Sequence, residues 1–375
     1  MARKVYLHAG LPKTGTTYLQ QILWANREEL RAQRMLLPGD SGREHLWASV
    51  VVREDPAIVK RPRRATKSWD KLVAEVNAWP DTALITHEFF GGASREQARA
   101  AMAALGDAEC HVVVTVRDLL GLLTARWQEL IKAGSTVQID DYPSSDETNP
   151  HDEWDWGSMD VGEVTDRWGA DLPDERVHVV VVPPAGSPRG ELWARFAGVV
   201  GLDPKRCEST DAPQNEGLGV AEVELLRRVN ADLVGFDTPV SRGSWIRTYL
   251  AQGKLVPRQG EKFWPSPARV EEVRERSRHA VERLRSHEYD VVGDLEQLLV
   301  PDEVAPRRHP GSVTDVELVP VATATIAAML SDLREQKQLL RRAERALAER
   351  ESDQDTGQDT GQDTGQDTGQ DTGEH

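Results

Sequence analysis

Residues 7–20 of the chain read LHAGLPKTGTTYLQ and follow directly on a short apolar run, KVYLH, at residues 4–8. Gly10 and Gly15 allow the main chain to turn tightly and to approach a ligand closely. Apolar residues then recur at helical spacing and predict a helix over residues 16–30. A strand, a glycine-containing loop and a helix N-terminus in succession favour an anion site, because the first N–H groups of a helix attract negative charge.

Three further short apolar runs, rich in β-branched residues, predict buried strands at residues 83–87, 111–117 and 177–182. Helical patterns separate and follow them, at residues 69–79, 94–105, 119–133, 190–200, 220–229 and 269–284. Residues 289–299 are expected to close the domain. This alternation predicts an α/β fold of three layers, with a central parallel sheet and a mainly helical C-terminal part.

The chain is predicted to contain one large domain, residues 1–300, followed by three smaller segments. Residues 301–320 form the expected linker, since three of the first ten are prolines. Residues 321–350 are expected to form an additional helix. Residues 351–375, which contain the sequence QDTG five times, have almost no apolar side chains and are expected to be disordered.

The expected C-terminal helix has a weak coiled-coil pattern. Apolar residues occur at sevenfold spacing, at Ile326, Leu333, Leu340 and Leu347. The second apolar set that a coiled coil needs, three or four residues further on, is interrupted by polar residues. Docking on the chain's own domain and formation of a homo-oligomer are therefore equally favoured.

Charge and cysteine content exclude several classes of protein. The net charge is −16, but eight acidic and no basic residues lie in 351–375, which leaves 54 acidic and 46 basic residues elsewhere. A broad basic surface for nucleic acid or anionic membrane is therefore not expected. The two cysteines show no metal-type spacing, and no metal site is expected. The N-terminal sequence does not resemble a signal peptide, and no apolar run approaches about 20 residues, so we expect a cytoplasmic protein without stable membrane insertion.

The position of the lysine in the glycine loop argues against an ATP-hydrolysing site. Gly10 and Gly15 have the separation found in G-x-x-x-x-G-K-[ST], but Thr16 occupies the lysine position of that motif. The lysine of this loop, Lys13, comes two residues before the second glycine. No predicted strand runs directly into an acidic residue suited to binding magnesium. A nucleotide kinase or nucleoside triphosphatase remains the alternative function.

The segment PKTGTTYL at residues 12–19 resembles the 5′-phosphosulfate loop of sulfotransferases that use 3′-phosphoadenosine 5′-phosphosulfate. The similarity to bacterial sulfotransferase-family proteins of actinomycetes extends over about residues 4–299, through THEFF, VVVTVRD and RFAGVVGLDP. It implies that Lys13 neutralises charge on the leaving 5′-phosphate. It also implies that Thr14, Gly15, Thr16 and Thr17 bind this phosphate through backbone N–H groups and hydroxyls, and that Pro12 belongs to the same cofactor-binding loop. No metal is implied.

The same resemblance implies a site for the 3′-phosphate. In the family an arginine at the end of a strand and a serine eight residues later bind it. Arg117 fits the first position, whereas the second is Ala125, with Thr124 one residue early and turned by about 100° on a helix. We therefore expect Arg117 to bind the 3′-phosphate and Thr124 to be a weaker candidate. A salt bridge between Arg117 and Asp118 is the alternative role.

Transfer to a hydroxyl also needs a base, and His87 and Glu88 end a predicted strand at the edge where parallel sheets place their sites. His87 is slightly favoured, because its ordinary pKa suits a general base and it resembles a histidine of the cytosolic sulfotransferases. Glu88 is the alternative. On the helix after Arg117, Gln128, Glu129 and Lys132 are further candidates for the acceptor pocket.

The resemblance thus implies sulfuryl transfer from 3′-phosphoadenosine 5′-phosphosulfate to a hydroxyl, or less readily to an amine. The acceptor is expected to be a small molecule, a lipid or a glycan. A catalytically silent binding protein with the same fold is a third possibility, left open by the missing serine after Arg117.

Overall fold

The structure is a computed structural model and describes residues 2–143, 155–188, 190–208 and 217–358. Two compact units divide the chain, the first ending at Thr314 and the second beginning at Asp315. The QDTG residues from 359 onward, for which disorder was predicted, lie outside the described residues.

A parallel sheet of six strands forms the centre of the first unit. The strands are β1 Lys4–His8, β2 Met35–Leu36, β3 Thr82–Thr86, β4 Glu109–Val116, β5 Val177–Val181 and β6 Asp290–Val292. Their order across the sheet is β2-β3-β1-β4-β5-β6, and every pair is parallel. The chain leaves β1 toward β2 on one side and leaves β4 toward β5 on the other. The carboxyl ends of β1 and β4 therefore border a topological switch point, where such sheets place their ligand sites.

Helices connect the strands and follow them along the chain. They are α1 Thr16–Ala25, α2 Arg27–Ala32, α3 Gly42–Val52, α4 Ser68–Ala78, α5 Arg95–Ala104, α6 Leu119–Lys132, α7 Trp156–Met159, α8 Val161–Gly169, α9 Glu191–Val200, α10 Val220–Asp232, α11 Pro239–Ser241, α12 Pro267–Arg285 and α13 Asp315–Gln358. A π-helical segment, Arg242–Leu255, follows α11. The prediction of an α/β fold with a central parallel sheet and a mainly helical C-terminal part is confirmed.

Four predicted strands occur with ends shifted by at most two residues, because each is buried over most of its length. Core side chains of α1 and α9 pack on one face of the sheet, among them Leu19, Ile22, Leu23, Trp193 and Phe196. This packing explains why the apolar pattern after the glycine loop follows a helical period. Strand β2 contains two residues only and was not predicted.

The helix predicted over residues 16–30 is interrupted at Asn26. The Asn26 side chain donates from Nδ2 to the carbonyls of Ile22 and Glu208, both at 2.9 Å, and its Oδ1 accepts from the Glu208 N–H at 2.8 Å. These bonds take up the carbonyl at the end of α1 and connect it to a distant segment. The chain then resumes as a separate helix, α2.

The boundary between the two units differs from the predicted linker at 301–320. Residues up to Thr314 belong to the first unit, in which the Trp264 N–H donates to the Arg308 carbonyl at 3.0 Å. The residues from Asp315 onward are helical, so α13 begins earlier than the predicted position 321 and continues past 350 to Gln358. A coiled coil at this helix stays a prediction.

Helix α13 is also long and apolar enough to cross a membrane. One 18-residue window within Asp315–Glu349 has a mean hydropathy of 1.5. Length and composition are the only grounds for this assignment, and no other described helix meets them.

Candidate functional site

The glycine loop, residues 9–15, lies at the switch point because it continues alongside β4. The N–H of Ala9 donates to the Val113 carbonyl and that of Leu11 to the Thr115 carbonyl, both at 3.0 Å. A side chain at Gly10 would place its Cβ 2.3 Å from Thr115 Oγ1, so only glycine fits there. The sequence prediction placed this loop between β1 and α1, and the structure has it there.

Two residues of the loop adopt left-handed backbone conformations. These are Lys13, with φ 60°, and Gly15, with φ 82°. Left-handed residues within such turns direct consecutive N–H groups into one concavity that binds anions. Gly15 is the N-cap of α1 and has no side chain with which to bond the first N–H groups of that helix. The loop therefore presents backbone donors and the positive end of a helix to a ligand.

A chain of hydroxyl and imidazole hydrogen bonds fixes the loop to the sheet. Thr14 Oγ1 donates to the Leu11 carbonyl at 2.6 Å and lies 2.7 Å from Thr115 Oγ1. His8 is fully buried, with Nε2 3.1 Å from Thr115 Oγ1 and Nδ1 2.8 Å from Thr86 Oγ1. Because Thr14 gives its one proton to Leu11, Thr115 must donate to Thr14, and His8 must carry its proton on Nε2.

His8, the histidine in this series of hydrogen bonds, is neutral at physiological pH. Burial lowers the pKa of His8 to about 3, and the nearby His87 adds to the effect. His8 was not singled out from the sequence. Its significance comes from two threonines 78 and 107 residues away, and no motif indicates that pairing.

Thr14 is buried and its hydroxyl already has two partners, so of the predicted phosphate contacts it offers only its backbone N–H. Pro12 and Thr16 are also buried, whereas Thr17 is exposed. The donors that the loop offers are therefore mainly backbone N–H groups. In this structure the Thr14 hydroxyl bonds within the protein, and its contact with a phosphate stays a prediction.

Lys13 extends from the loop to helix α6. Its Nζ lies 2.9 Å from Glu129 Oε1. Burial lowers the pKa of Lys13, and Glu129 opposes this change. The same carboxylate also pairs with Lys132 at 3.2 Å and with Arg247 at 3.3 Å. The structure thus assembles three cations and one carboxylate beside the loop.

His87 and Glu88 follow β3 and lie beside the loop, in a turn whose Gly91 faces the carbonyl oxygens of Ala9 and Gly10. Glu88 Oε2 accepts from Gln20 Nε2 at 3.2 Å, so the carboxylate lies against α1. The two candidate bases are therefore at the same edge of the sheet as the glycine loop, as predicted for the ends of parallel strands.

The imidazole of His87 is constrained. Its Nδ1 accepts from the Phe89 N–H at 3.1 Å and therefore carries no proton, which places the proton on Nε2 when the ring is neutral. Burial lowers the pKa of His87, and the Glu88 carboxylate offsets this only in part. In this tautomer neither ring nitrogen is open to accept a proton from an acceptor hydroxyl.

Arg117 follows β4, and together with Leu11 of the loop it lines a small cavity of about 20 Å³. Its guanidinium donates to Asp118 Oδ2 from Nη2 at 3.2 Å and from Nε at 3.4 Å. Asp118 also caps α6 by accepting from the Gly121 N–H. The structure therefore places Arg117 near the loop and shows the salt bridge that was its alternative role.

Asp118 also acts electrostatically on a second arginine, Arg307. Arg307 stacks on Trp264, with its guanidinium carbon 3.9 Å from the ring centre. Burial lowers the pKa of Arg307, and Asp118 opposes this. Arg307 lies in the segment predicted to be a linker, so no sequence motif indicates this electrostatic interaction between residues 307 and 118.

Thr124 donates its hydroxyl to the Leu120 carbonyl at 2.8 Å, within α6. It is buried. A hydroxyl that is bonded to its own helix in this way has no proton left to donate to a phosphate. The predicted contact between Thr124 and the 3′-phosphate therefore lacks a donor.

Among the described residues, no cluster of three or more histidine, cysteine or carboxylate side chains is arranged to hold a metal ion.

Comparison with known proteins yields a structural match. A sulfotransferase from Alicyclobacillus acidocaldarius matches over 66% of this chain and 96% of its own, with 13% sequence identity and a TM-score of 0.38. No family model matches the chain. No curated protein matches it either.

Proposed function

We propose that the protein is a sulfotransferase that moves a sulfuryl group from 3′-phosphoadenosine 5′-phosphosulfate to a hydroxyl. The observation that carries this proposal is the position of Lys13. It lies in the glycine loop before α1, whose N-cap Gly15 has no capping side chain, two residues before that glycine, and has left-handed backbone. Thr16, at the lysine position of a nucleoside-triphosphatase loop, is buried instead.

The residues present suit the phosphosulfate of this donor. The first N–H groups of α1 and the Lys13 ammonium supply positive charge where the 5′-phosphate would bind. Glycine at position 10 lets the loop lie closely against β4. The sheet order places this loop at the switch point, which is the usual position of a ligand in open α/β folds.

The proposed reaction is an in-line displacement at sulfur. The acceptor oxygen forms a bond to sulfur while the bond from sulfur to the 5′-phosphate oxygen breaks, and the acceptor proton passes to a base. The products are a sulfate ester and adenosine 3′,5′-bisphosphate. Negative charge grows on the leaving phosphate oxygen, and Lys13 stabilises it.

We propose Glu88 rather than His87 as the base. The carboxylate has one hydrogen bond, from Gln20, and a second oxygen to which the described residues donate nothing. His87 uses Nδ1 to cap the turn and carries its proton on Nε2. This reverses the slight preference for His87 that the sequence suggested.

Arg117 is proposed to bind the 3′-phosphate. Two observations support this: Arg117 follows β4 at the switch point and lines a small cavity with Leu11 of the loop, and its pairing with Asp118 holds the guanidinium in place. The site lacks a helix hydroxyl, because Thr124 bonds to its own helix. Arg307, which interacts electrostatically with Asp118, is proposed to add a second positive charge.

The acceptor is proposed to be a small molecule, a lipid or a glycan, and the protein is proposed to act in the cytoplasm without a metal. A transfer assay tests the function. Purified protein is incubated with donor carrying radiolabelled sulfate and with extract of the source cells, and labelled products are identified by mass spectrometry. A labelled sulfate ester that depends on the protein supports the proposal, and its absence at every donor concentration contradicts it.

A further inference from the structure

Glu129 is surrounded by more positive charge than it can neutralise. It lies on α6, is 9% exposed, and pairs with Lys13 of the loop, Lys132 of the same helix and Arg247 of the π-helical segment. Burial acts to raise its pKa, but the three cations outweigh burial and hold the pKa at about 2. The carboxylate is therefore ionised throughout the physiological range.

Two of the three partners fix Glu129 independently of the loop. Lys132 follows it by three residues on α6, and Arg247 approaches the other carboxylate oxygen from the π-helical segment. Lys13, by contrast, belongs to the loop that would receive the anion. Glu129 can therefore keep its position whether the Lys13 ammonium pairs with it or with a bound phosphate.

We propose that Glu129 is a positioning residue for Lys13: it holds the ammonium beside α6 in the empty site and competes with the incoming anion for it. This inference rests on the proposed function only for the identity of the donor. The competition itself applies to any phosphate-like anion in the loop. It follows from a carboxylate at 2.9 Å from the lysine that the loop offers to that anion.

The charged groups around Lys13 determine how its protonation responds. Lys132 and Arg126, both on α6, lower the pKa of Lys13 together with burial, and Arg247 adds positive charge on the far side of Glu129. Glu129 is the carboxylate that opposes them. Without it, Lys13 loses its proton at lower pH.

Replacing Glu129 by glutamine therefore has effects of opposite sign. The variant Glu129→Gln should bind an anion about tenfold more tightly, because a competing negative charge is gone. It should transfer sulfate about tenfold to a hundredfold more slowly, because the ammonium is no longer held in position. A residue with a merely structural role would weaken both properties.

The experiment measures binding of inorganic pyrophosphate by calorimetry, from about pH 7 to about pH 10, together with sulfate transfer. The matched control is Glu224→Gln, which removes a buried carboxylate paired with Arg227 and Arg228 on α10. For Glu129→Gln we expect tighter binding at neutral pH, loss of binding at lower pH than in the wild type, and slower transfer. The control should match the wild type in all three.

A second variant, Glu129→Asp, keeps the buried charge and remains informative if the glutamine variant fails to fold. It should bind pyrophosphate with nearly wild-type pH dependence but transfer sulfate more slowly. Unchanged or weaker pyrophosphate binding by Glu129→Gln would overturn the inference. So would a result in which Glu129→Asp, but not Glu129→Gln, shifts the pH at which pyrophosphate binding is lost. Failure of the wild type to transfer sulfate contradicts the proposed function instead, and the pyrophosphate result still decides the role of Glu129.

Discussion

Replacement of Lys13 by methionine removes the positive charge that is proposed to stabilise the leaving phosphate, and it keeps much of the side-chain volume. Lys13 is one of three partners of Glu129, and the other two remain at 3.2 and 3.3 Å. The carboxylate is therefore not left buried without a counter-charge. We expect a loss of stability of only about 1–2 kcal/mol in the free energy of unfolding.

The effect on catalysis should be much larger. Removing one group that stabilises developing negative charge costs about a hundredfold to a thousandfold in kcat, or roughly 2.7–4 kcal/mol in the activation free energy. The assay follows transfer of radiolabelled sulfate to acceptors in extract. Thermal unfolding of the same preparation separates loss of chemistry from loss of structure.

Lys132→Met is the matched control, since it removes a second lysine from the same carboxylate but not from the loop. Its side chain is 6% exposed and pairs with Glu129 at 3.2 Å. We expect it to lose at most about tenfold in turnover, through its effect on Glu129. Equal losses in the two variants, or near-normal turnover by Lys13→Met, would refute the assignment of Lys13 to the leaving phosphate.

Four further results are expected. Glu88→Gln should lower kcat by about a hundredfold or more while His87→Gln costs less, which pH–rate profiles of both variants check; the reverse order would restore His87 as the base. Thr14→Val should cost about 1–3 kcal/mol in the free energy of unfolding, since it breaks a buried hydroxyl chain, and chemical denaturation measures this. The folded pKa of His8 is about 3, below its ordinary value of about 6.5, so the unfolded protein takes up this proton first and the fold should lose stability as pH falls below about 6.5. His8→Gln should make the denaturation midpoint less sensitive to acid, and an unchanged sensitivity would contradict this role. Deleting residues 315–375 should leave transfer intact, and light scattering of both forms tests the homo-oligomer that the sequence pattern of α13 allows: a lower molar mass per particle than the deletion alone explains supports it, and an unchanged oligomeric state contradicts it.

The fold was predictable where short-range pattern and tertiary packing agree. The strands near the centre of the sheet are continuous apolar runs, and Gly10 and Gly15 mark a loop whose backbone geometry other residues do not fit. Strand β2 was missed because two residues are too few to show the alternating hydrophobic pattern of a strand. The break at Asn26 was missed because its cause is a pair of hydrogen bonds to Glu208, far along the chain.

The candidate site was predictable in its residues but not in their pairing. The motif indicated Lys13, and the helix pattern indicated that Glu129 lies on α6, yet only packing brings the two within 2.9 Å. Thr14 and Thr124 were expected to offer hydroxyls to phosphates, and both hydroxyls are bonded within the protein. A sequence motif shows that a hydroxyl is present, but it does not show whether a nearby backbone carbonyl already accepts the proton of that hydroxyl.

The central claim is that the loop binds a 3′-phosphorylated adenosine 5′-phosphate and not a nucleoside triphosphate. Calorimetry with adenosine 3′,5′-bisphosphate and with ATP in the presence of Mg²⁺ tests this most directly. We predict tighter binding of the bisphosphate, with a loss of affinity in both Lys13→Met and Arg117→Met. Tighter binding of ATP with Mg²⁺, or bisphosphate binding that is unaffected by both substitutions, would contradict the account.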